Sequence, residues 1–447
     1  MMIELPKDVK TLINTLENEG YEAYLVGGCV RDLLLGMSPH DWDITTDALP
    51  EEIIDCFSDK TIVKSGLKYG TVMVVENGIA YEITTFRIDQ GYSDRRRPDA
   101  VLFTACLQDD LSRRDFSINA MAYHPKVGLI DYFGGEDDLQ NKIIRCIGNA
   151  DDRFNEDALR ILRALRFASV LGFEIEETTS KSIDRNKDLL KDIAIERINI
   201  EFCKLICGGH VKEVLLNYAD VFAVFIPEIW PMFGFEQNSP HHYLNVWEHT
   251  VETVAQTPED LILRLTLFFH DIAKPKCYFE SEDGFGHFCG HPKYSENMAY
   301  EIMKRMKFDN KTIEIVGELV RYHDIKIEAE GKQVKRLLGK IGEERFRQLI
   351  LVKRADISSQ SPQFREERLE KLNDLLQFAE GILAEEQCFQ IKDLAIDGND
   401  LLEMGIPQGI LMGKILHQLF DQVLNDAVPN DKQTLLDAAK EIEQKLS

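Results

Sequence analysis

A chain of 447 residues is too long for one ordinary core and implies three or four packed units. Its 44% hydrophobic and 29% charged residues are globular values, which excludes a disordered or fibrous chain. The net charge of −25 excludes a protein that coats nucleic acid indiscriminately and by itself favours an acidic enzyme with small-molecule substrates.

Residues 7–19 read as an amphipathic helix and Glu22–Val26 as a strand broken by Gly27-Gly28. Val30–Leu35 resumes a helical pattern that Gly36 stops, and Asp43–Thr45 opens a second strand. Val72–Val75 and Ala80–Phe86 are apolar strands joined by Asn77-Gly78, a strong hairpin signal. Residues 1–145 therefore read as a small mixed α/β domain. After Gly148 the pattern turns helical, and Glu156–Leu171 carries apolar residues at helical spacing with no Gly or Pro. Pro227–Pro231 and Asn238–Pro240 mark a boundary. A histidine-rich block follows to about Asp356, then a Glu-rich helix over Phe364–Glu386 and a tail with Gly-rich turns. The predicted units are 1–145, 146–235, 236–362 and 363–447. Nine cysteines without a C-x-x-C pair fit buried thiols of a reducing compartment. With no leader pattern and no bilayer-length apolar run, a cytoplasmic location without membrane contact is expected.

The chemistry concentrates in Gly27-Gly28-x-x-Arg31-Asp32 followed by Asp41-Trp42-Asp43. Two glycines between a strand and a helix let backbone N–H groups approach a triphosphate, and the helix N-terminus adds positive partial charge. Arg31 can pair with phosphate oxygens. On one strand, Asp41 and Asp43 would share a face and could hold magnesium ions that activate an attacking hydroxyl and steady leaving pyrophosphate. Taken alone, the D-x-D reads as a solvated turn; its combination with the glycine turn in a strand–turn–helix–strand context is what makes it specific. In Arg113–Asn119, Arg114 suits phosphate and Asp115 a ribose hydroxyl, or Asp115 is a helix cap.

Taken together, Gly27–Gly36 with Asp41-Trp42-Asp43 resembles the N-terminal signature of the class II tRNA nucleotidyltransferases, a family that includes bacterial poly(A) polymerases and belongs to the polymerase-β-like superfamily. Arg113–Met121, Glu156–Ala168 and Glu196-Arg197-Ile198 with Glu201 and Lys204 resemble its later motifs. The resemblance implies an α+β fold: a polymerase-β-like head, then a mainly helical neck, body, HD domain and tail. It implies Asp41 and Asp43 as Mg2+ ligands, with Glu82 the candidate third carboxylate unless that glutamate is structural. The nucleotide would meet Gly28, Arg31, Arg114, Asp115 and Asn119. The implied reaction adds or repairs the CCA end of tRNA from CTP and ATP, with no DNA partner.

The resemblance implies a reaction without a nucleic-acid template, so side chains would have to select the base. Glu156, Asp157 and Arg160 fall within one predicted helix, three and four residues apart. Cytosine and adenine both present an amino donor beside a ring-nitrogen acceptor. Asp157 can accept the first and Arg160 donate to the second, with Glu156 orienting Arg160. Uracil and guanine reverse that order and leave buried groups unpaired, at about 1–3 kcal/mol each. A helix laced with exposed ion pairs would look the same in isolation. Arg163 and Arg166 read equally as phosphate contacts or surface charges. Thr85–Arg87 and Gly91–Pro98 resemble the loop needed for the last A, so complete CCA addition is expected, and Arg95–Arg97 through Arg166 could supply a basic patch for RNA.

His249, His270-Asp271 and Asp356 match the order of the HD phosphohydrolase superfamily, with His291 and His323 placed for a second metal or a phosphate. The resemblance implies a divalent transition metal or Mg2+ that activates water for phosphoester hydrolysis, for example at damaged RNA ends. In the tail, Asp397–Asp400 and Gly405–Gly409 suit either helix caps or backbone N–H contacts to RNA phosphates, and the family resemblance implies that the tRNA elbow is met here. Two rivals share these motifs: a poly(A) polymerase, and an HD phosphohydrolase whose head only binds nucleotide or RNA.

Overall fold

The structure, a computed structural model, describes residues 4–91, 98–327, 331–384, 391–425 and 427–446. It divides into two compact units, Met1–Glu228 and Ile229–Ser447. The first is mixed α+β at its start and the remainder of the chain is mainly helical.

The first unit is built on strands β1 (Ala23–Val26), β2 (Asp43–Thr46), β3 (Thr61–Val63), β4 (Thr71–Glu76) and β5 (Ile79–Thr85), a ribbon of β6 (Arg87–Gln90) and β7 (Ala100–Phe103), then β8 (Met121–His124) and β9 (Gly128–Asp131). Seven of them form one sheet in the order β3-β4-β5-β2-β1-β8-β9. The expected hairpin joins β4 to β5, with Asn77 and Gly78 at φ 50° and 81°, values that a tight hairpin turn requires. Helix Lys7–Asn18 buries Val9, Leu12, Ile13 and Leu16, the single stripe its sequence spacing predicts. Near the glycine turn, Val26, Phe86, Leu111 and Ala122 share an apolar core.

The helix expected over Glu156–Leu171 is two helices, Ala150–Glu156 and Leu159–Leu171. Asp157 between them is extended, at φ −144° and ψ 101°. Its carboxylate accepts the Leu159 N–H at 3.1 Å, a side-chain alternative to the helical backbone bond. The second helix packs against Ile195–Ile206, where Ser169 donates to the Leu205 carbonyl at 2.7 Å.

The second unit carries helices Val246–Ala255, Leu261–Phe269, His291–Arg305 and Asn310–Tyr322, then Gly331–Ser358, kinked at Gly342, and Pro362–Ala384. Leu319, Leu338, Phe346, Leu349 and Leu375 lie in one buried cluster. A separate cluster in the tail centres on Leu401, Ile415, Leu419 and Leu435. Asp397 caps helix Gly398–Glu403 in a reciprocal capping box with Asp400. Among the described residues no helix is long and apolar enough to cross a membrane.

Candidate active site

Gly27 ends β1 at φ 79° and ψ −138°, a conformation open essentially to glycine alone. A Cβ there would lie 2.8 Å from an Arg114 guanidinium nitrogen and 3.6 Å from an Asp43 carboxylate oxygen. The turn thus brings backbone, cation and carboxylate together. Asp43 is the first residue of β2 and is paired in parallel register with Glu82 of β5, so their side chains leave one face of the sheet. Asp41 corrects the expected picture: it lies in a bend before β2, where strand alternation does not fix its direction. Burial, opposed by Arg114 and reinforced by Asp41, raises the Asp43 carboxyl above its ordinary range. Burial away from water, and then the charge of Asp43, raises the Glu82 carboxyl above its ordinary range. The charge of Asp41 acts on both Asp43 and Glu82, and all three residues offer only carboxylate oxygens, the donors a hard divalent cation takes.

Beside them opens a cleft of about 480 Å³. It gathers Gly28, Arg31, Asp43, Arg114, Asp115, Asn119, Asp157, Arg160, Arg163 and Arg166 of the predicted residues. Asp41, Glu82 and Glu156 are not among its lining. Seven arginines, including Arg113 and Arg197, face three aspartates there, a cationic concentration in a strongly acidic chain. Arg31 donates to Asn119 at 2.7 Å and to Asp32 at 2.6 Å. Arg163 donates to Asp115 at 2.7 Å, and the Asn119 amide donates to the same carboxylate at 3.1 Å. Burial would raise the Asp115 carboxyl, but Arg163, Asn119 and Arg160 outweigh it and bring it down to about 2. Arg166 lies 2.6 Å from Glu201 without hydrogen-bond alignment, an ion pair only.

The expected trio straddles the helix break. Arg160 donates to Glu156 at 2.6 Å and to the Arg113 carbonyl at 3.1 Å. Asp157 is held by Arg197, at 2.7 and 3.3 Å through both carboxylate oxygens. Asp157 and Arg160 therefore line the same cleft, each oriented by a different neighbour. Arg197 and Phe167 are lining residues that sequence reasoning did not select. The Glu196-Arg197-Ile198 segment was visible, but nothing in sequence pairs residues forty apart. Of the expected loop, Thr85 and Phe86 are buried and Arg87 opens β6, while Tyr92–Arg97 lie outside the described residues.

The histidine block gathers a buried side-chain cluster in the other unit. The Nε2 atoms of His249, His270, His291 and His323 lie 3.7, 3.0, 3.2 and 3.7 Å from Asp271 carboxylate oxygens. His249 also meets Asp356 at 3.0 Å. The Nδ1 atoms of His270, His291 and His323 lie 2.6, 2.9 and 2.6 Å from the carbonyls of Leu267, Phe288 and Val320. Those carbonyls can only accept, so each Nδ1 carries a proton and each Nε2 is turned towards the Asp271 carboxylate. Both Asp271 oxygens and His270 Nε2 are buried without hydrogen-bond partners, although Lys274 Nζ lies 2.7 Å from Asp271. Ligand atoms of His249, His270 and Asp271, and of Asp271, His291 and His323, all fall within 4.8 Å of one another in each set. A cleft of about 550 Å³ reaches this cluster and brings in Lys274, Lys326 and Arg368.

Comparison with known proteins bears on the fold and the family of the chain. Residues 23–145 match the family described as "Poly A polymerase head domain", residues 172–233 "Probable RNA and SrmB- binding site of polymerase A", and residues 280–439 "tRNA nucleotidyltransferase domain 2 putative". The chain is 33% identical to the CCA-adding enzyme of Limosilactobacillus fermentum, covering 97% of this chain and 96% of that one. It is 34% identical to that of Limosilactobacillus reuteri at the same coverage. Among solved structures, the Bacillus stearothermophilus CCA-adding enzyme in complex with CTP is similar at TM-score 0.72 and 29% identity, covering 98% of each chain. The Thermotoga maritima CCA-adding enzyme shares the fold, with TM-score 0.61, 20% identity and coverage of 99% and 97%. With relatives above 30% identity along nearly its whole length, the chain belongs to the CCA-adding enzymes, which are tRNA nucleotidyltransferases.

Proposed function

We propose that the arginine-lined cleft of the first unit transfers cytidylate and adenylate from CTP and ATP to the 3′ end of tRNA. The carrying observation is the meeting, in one cleft, of Asp43, seven arginines and the Asp157–Arg160 edge. The 3′ hydroxyl attacks the α-phosphorus, a new P–O bond forms, and the bond to pyrophosphate breaks. Asp41, Asp43 and Glu82 would hold Mg2+, which supplies charge neutralisation at the attacking and leaving oxygens. Arg31, Arg114, Arg163 and Arg166 attract the triphosphate, and Asp115 with Asn119 borders the sugar. Asp157, held by Arg197, accepts the base's amino group, and Arg160, held by Glu156, donates to its ring nitrogen. The Bacillus stearothermophilus relative in complex with CTP supports this reading of the ligand. Tyr92–Arg97 and the capped tail helices would serve the last addition and the tRNA elbow. A location in the cytoplasm follows from such a substrate.

The test is incorporation on tRNA lacking its terminus, with each nucleotide singly and together. D43N and D41N are expected to lose at least about a thousandfold in kcat while keeping tRNA affinity. Normal incorporation by both would remove the metal assignment. Extension far beyond three nucleotides would move the chain to the poly(A) polymerases.

A second reading concerns the histidine cluster: residues 236–362 form an HD-type site in which His249, His270, Asp271 and Asp356, with His291 and His323, hold one or two divalent cations. Four imidazole Nε2 atoms converging on one carboxylate whose oxygens lack hydrogen bonds support it. Lys274, Lys326 and Arg368 would draw a phosphoester. Phosphate release from nucleoside monophosphates, or ring opening of 2′,3′-cyclic phosphates to monophosphates, lost in D271A with CTP incorporation intact, is the expected outcome.

A further inference from the structure

Three of the cleft's guanidinium groups share one aromatic ring. The carbons of Arg166, Arg31 and Arg163 lie 4.1, 4.9 and 5.5 Å from the centroid of Phe167. Phe167 is 4% exposed, and Phe116 meets it at 5.9 Å with an interplanar angle of 86°. That edge contact fixes the plane of the ring. Phe116 follows Asp115 directly, so the ring is tied to the carboxylate that holds Arg163.

Three like charges at one spot repel one another unless something offsets them. Three carboxylates stand behind the three arginines: Asp32 behind Arg31, Asp115 behind Arg163, and Glu201 shared by Arg163 and Arg166. A fourth carboxylate in the middle would add attraction, but it would also consume N–H donors and cancel the positive field. A ring face attracts guanidinium through its quadrupole and leaves the in-plane N–H groups free for another acceptor.

We infer that Phe167 is a positioning residue that seats Arg31, Arg163 and Arg166 with their donors available to the triphosphate of CTP or ATP. This rests on the reading of the cleft as the nucleotide site. The ring acts through the arginines, so its loss weakens nucleotide binding more than the chemical step.

The test uses the full-length enzyme with tRNA lacking CCA. F167L keeps apolar volume and removes the ring face, F167Y keeps the face, and F116L removes the edge contact alone. F167L is expected to raise KM for CTP about tenfold and to weaken inhibition by inorganic pyrophosphate by a similar factor, with kcat changed less than threefold. F167Y is expected to stay within about threefold of the parent in both, with F116L intermediate. If F167L does not fold by circular dichroism, F167M takes its place in the same comparison. Unchanged KM and pyrophosphate inhibition in the folded variant would overturn the inference, as would equal losses in F167L and F167Y. D43N run alongside separates the two levels. Its loss of incorporation with an unaltered F167L sinks only the role of the ring, whereas full activity of D43N sinks the site itself.

Discussion

Asp115 illustrates how much of this site is decided by single side chains. Its carboxylate accepts from the Phe116 N–H at 2.9 Å as well as from Asn119 and Arg163. Its folded-state value of about 2 lies below the ordinary 3.8. A depressed carboxyl stabilises the fold fully above its unfolded value, and that contribution disappears as pH falls from about 4 toward 2. D115N is therefore expected to cost about 2 kcal/mol at pH 7. Urea melts of parent and variant should show that difference holding down to about pH 5 and narrowing below pH 4. The neighbouring pair makes a different prediction, because Arg197 grips the Asp157 carboxylate from both oxygens. R197M frees that carboxylate to turn away from a mismatched carbonyl. The preference for CTP over UTP in kcat/KM is expected to fall about tenfold, the scale of one buried mismatch. An unchanged ratio would mean that Arg197 does not govern base choice.

At the scale of elements, the turn after β1 was legible and the helix break was not. Paired glycines before a helical pattern announce a tight turn, and the structure uses Gly27 where a Cβ would collide with Arg114. G27A is expected to cost about 1–3 kcal/mol of stability and to displace Arg114, which a lowered melting temperature together with a raised KM for CTP would register. Parallel register between Asp43 and Glu82 was only guessable, since pairing partners come from topology rather than local sequence. The break at Asp157 is hidden for a physical reason. Phe154, Ala158, Ile161, Leu162 and Leu165 are all buried, so the apolar stripe keeps its spacing through the interruption. The interruption spends backbone bonds, not hydrophobic phase, and a periodicity argument cannot see it. The same limit hid Arg197, which belongs to another helix.

For the whole molecule, charge and donor chemistry separate two kinds of cation work. A chain of net charge −25 concentrates seven arginines in one cleft, so anion attraction is local there and repulsion acts elsewhere. The histidine cluster has a different character, with four imidazole Nε2 atoms directed at one buried carboxylate. Its ligand set mixes nitrogen and oxygen, which suits first-row divalent metals better than the all-oxygen trio near Gly27 does. A cation that binds the folded cluster and not the unfolded chain stabilises by mass action, about 2.7 kcal/mol at a hundred times its dissociation constant. In a unit of this size that corresponds to a rise in melting temperature on the order of 5–10 °C. Scanning calorimetry with Mn2+ after exhaustive chelation is expected to show that rise in the parent enzyme and in D43N, and to show none in D271A. Removing Asp271 takes away the one carboxylate that both ligand sets share. A rise that persists in D271A and vanishes in D43N would transfer the strong metal site to the glycine-turn cleft and leave the histidines as a hydrogen-bonded core.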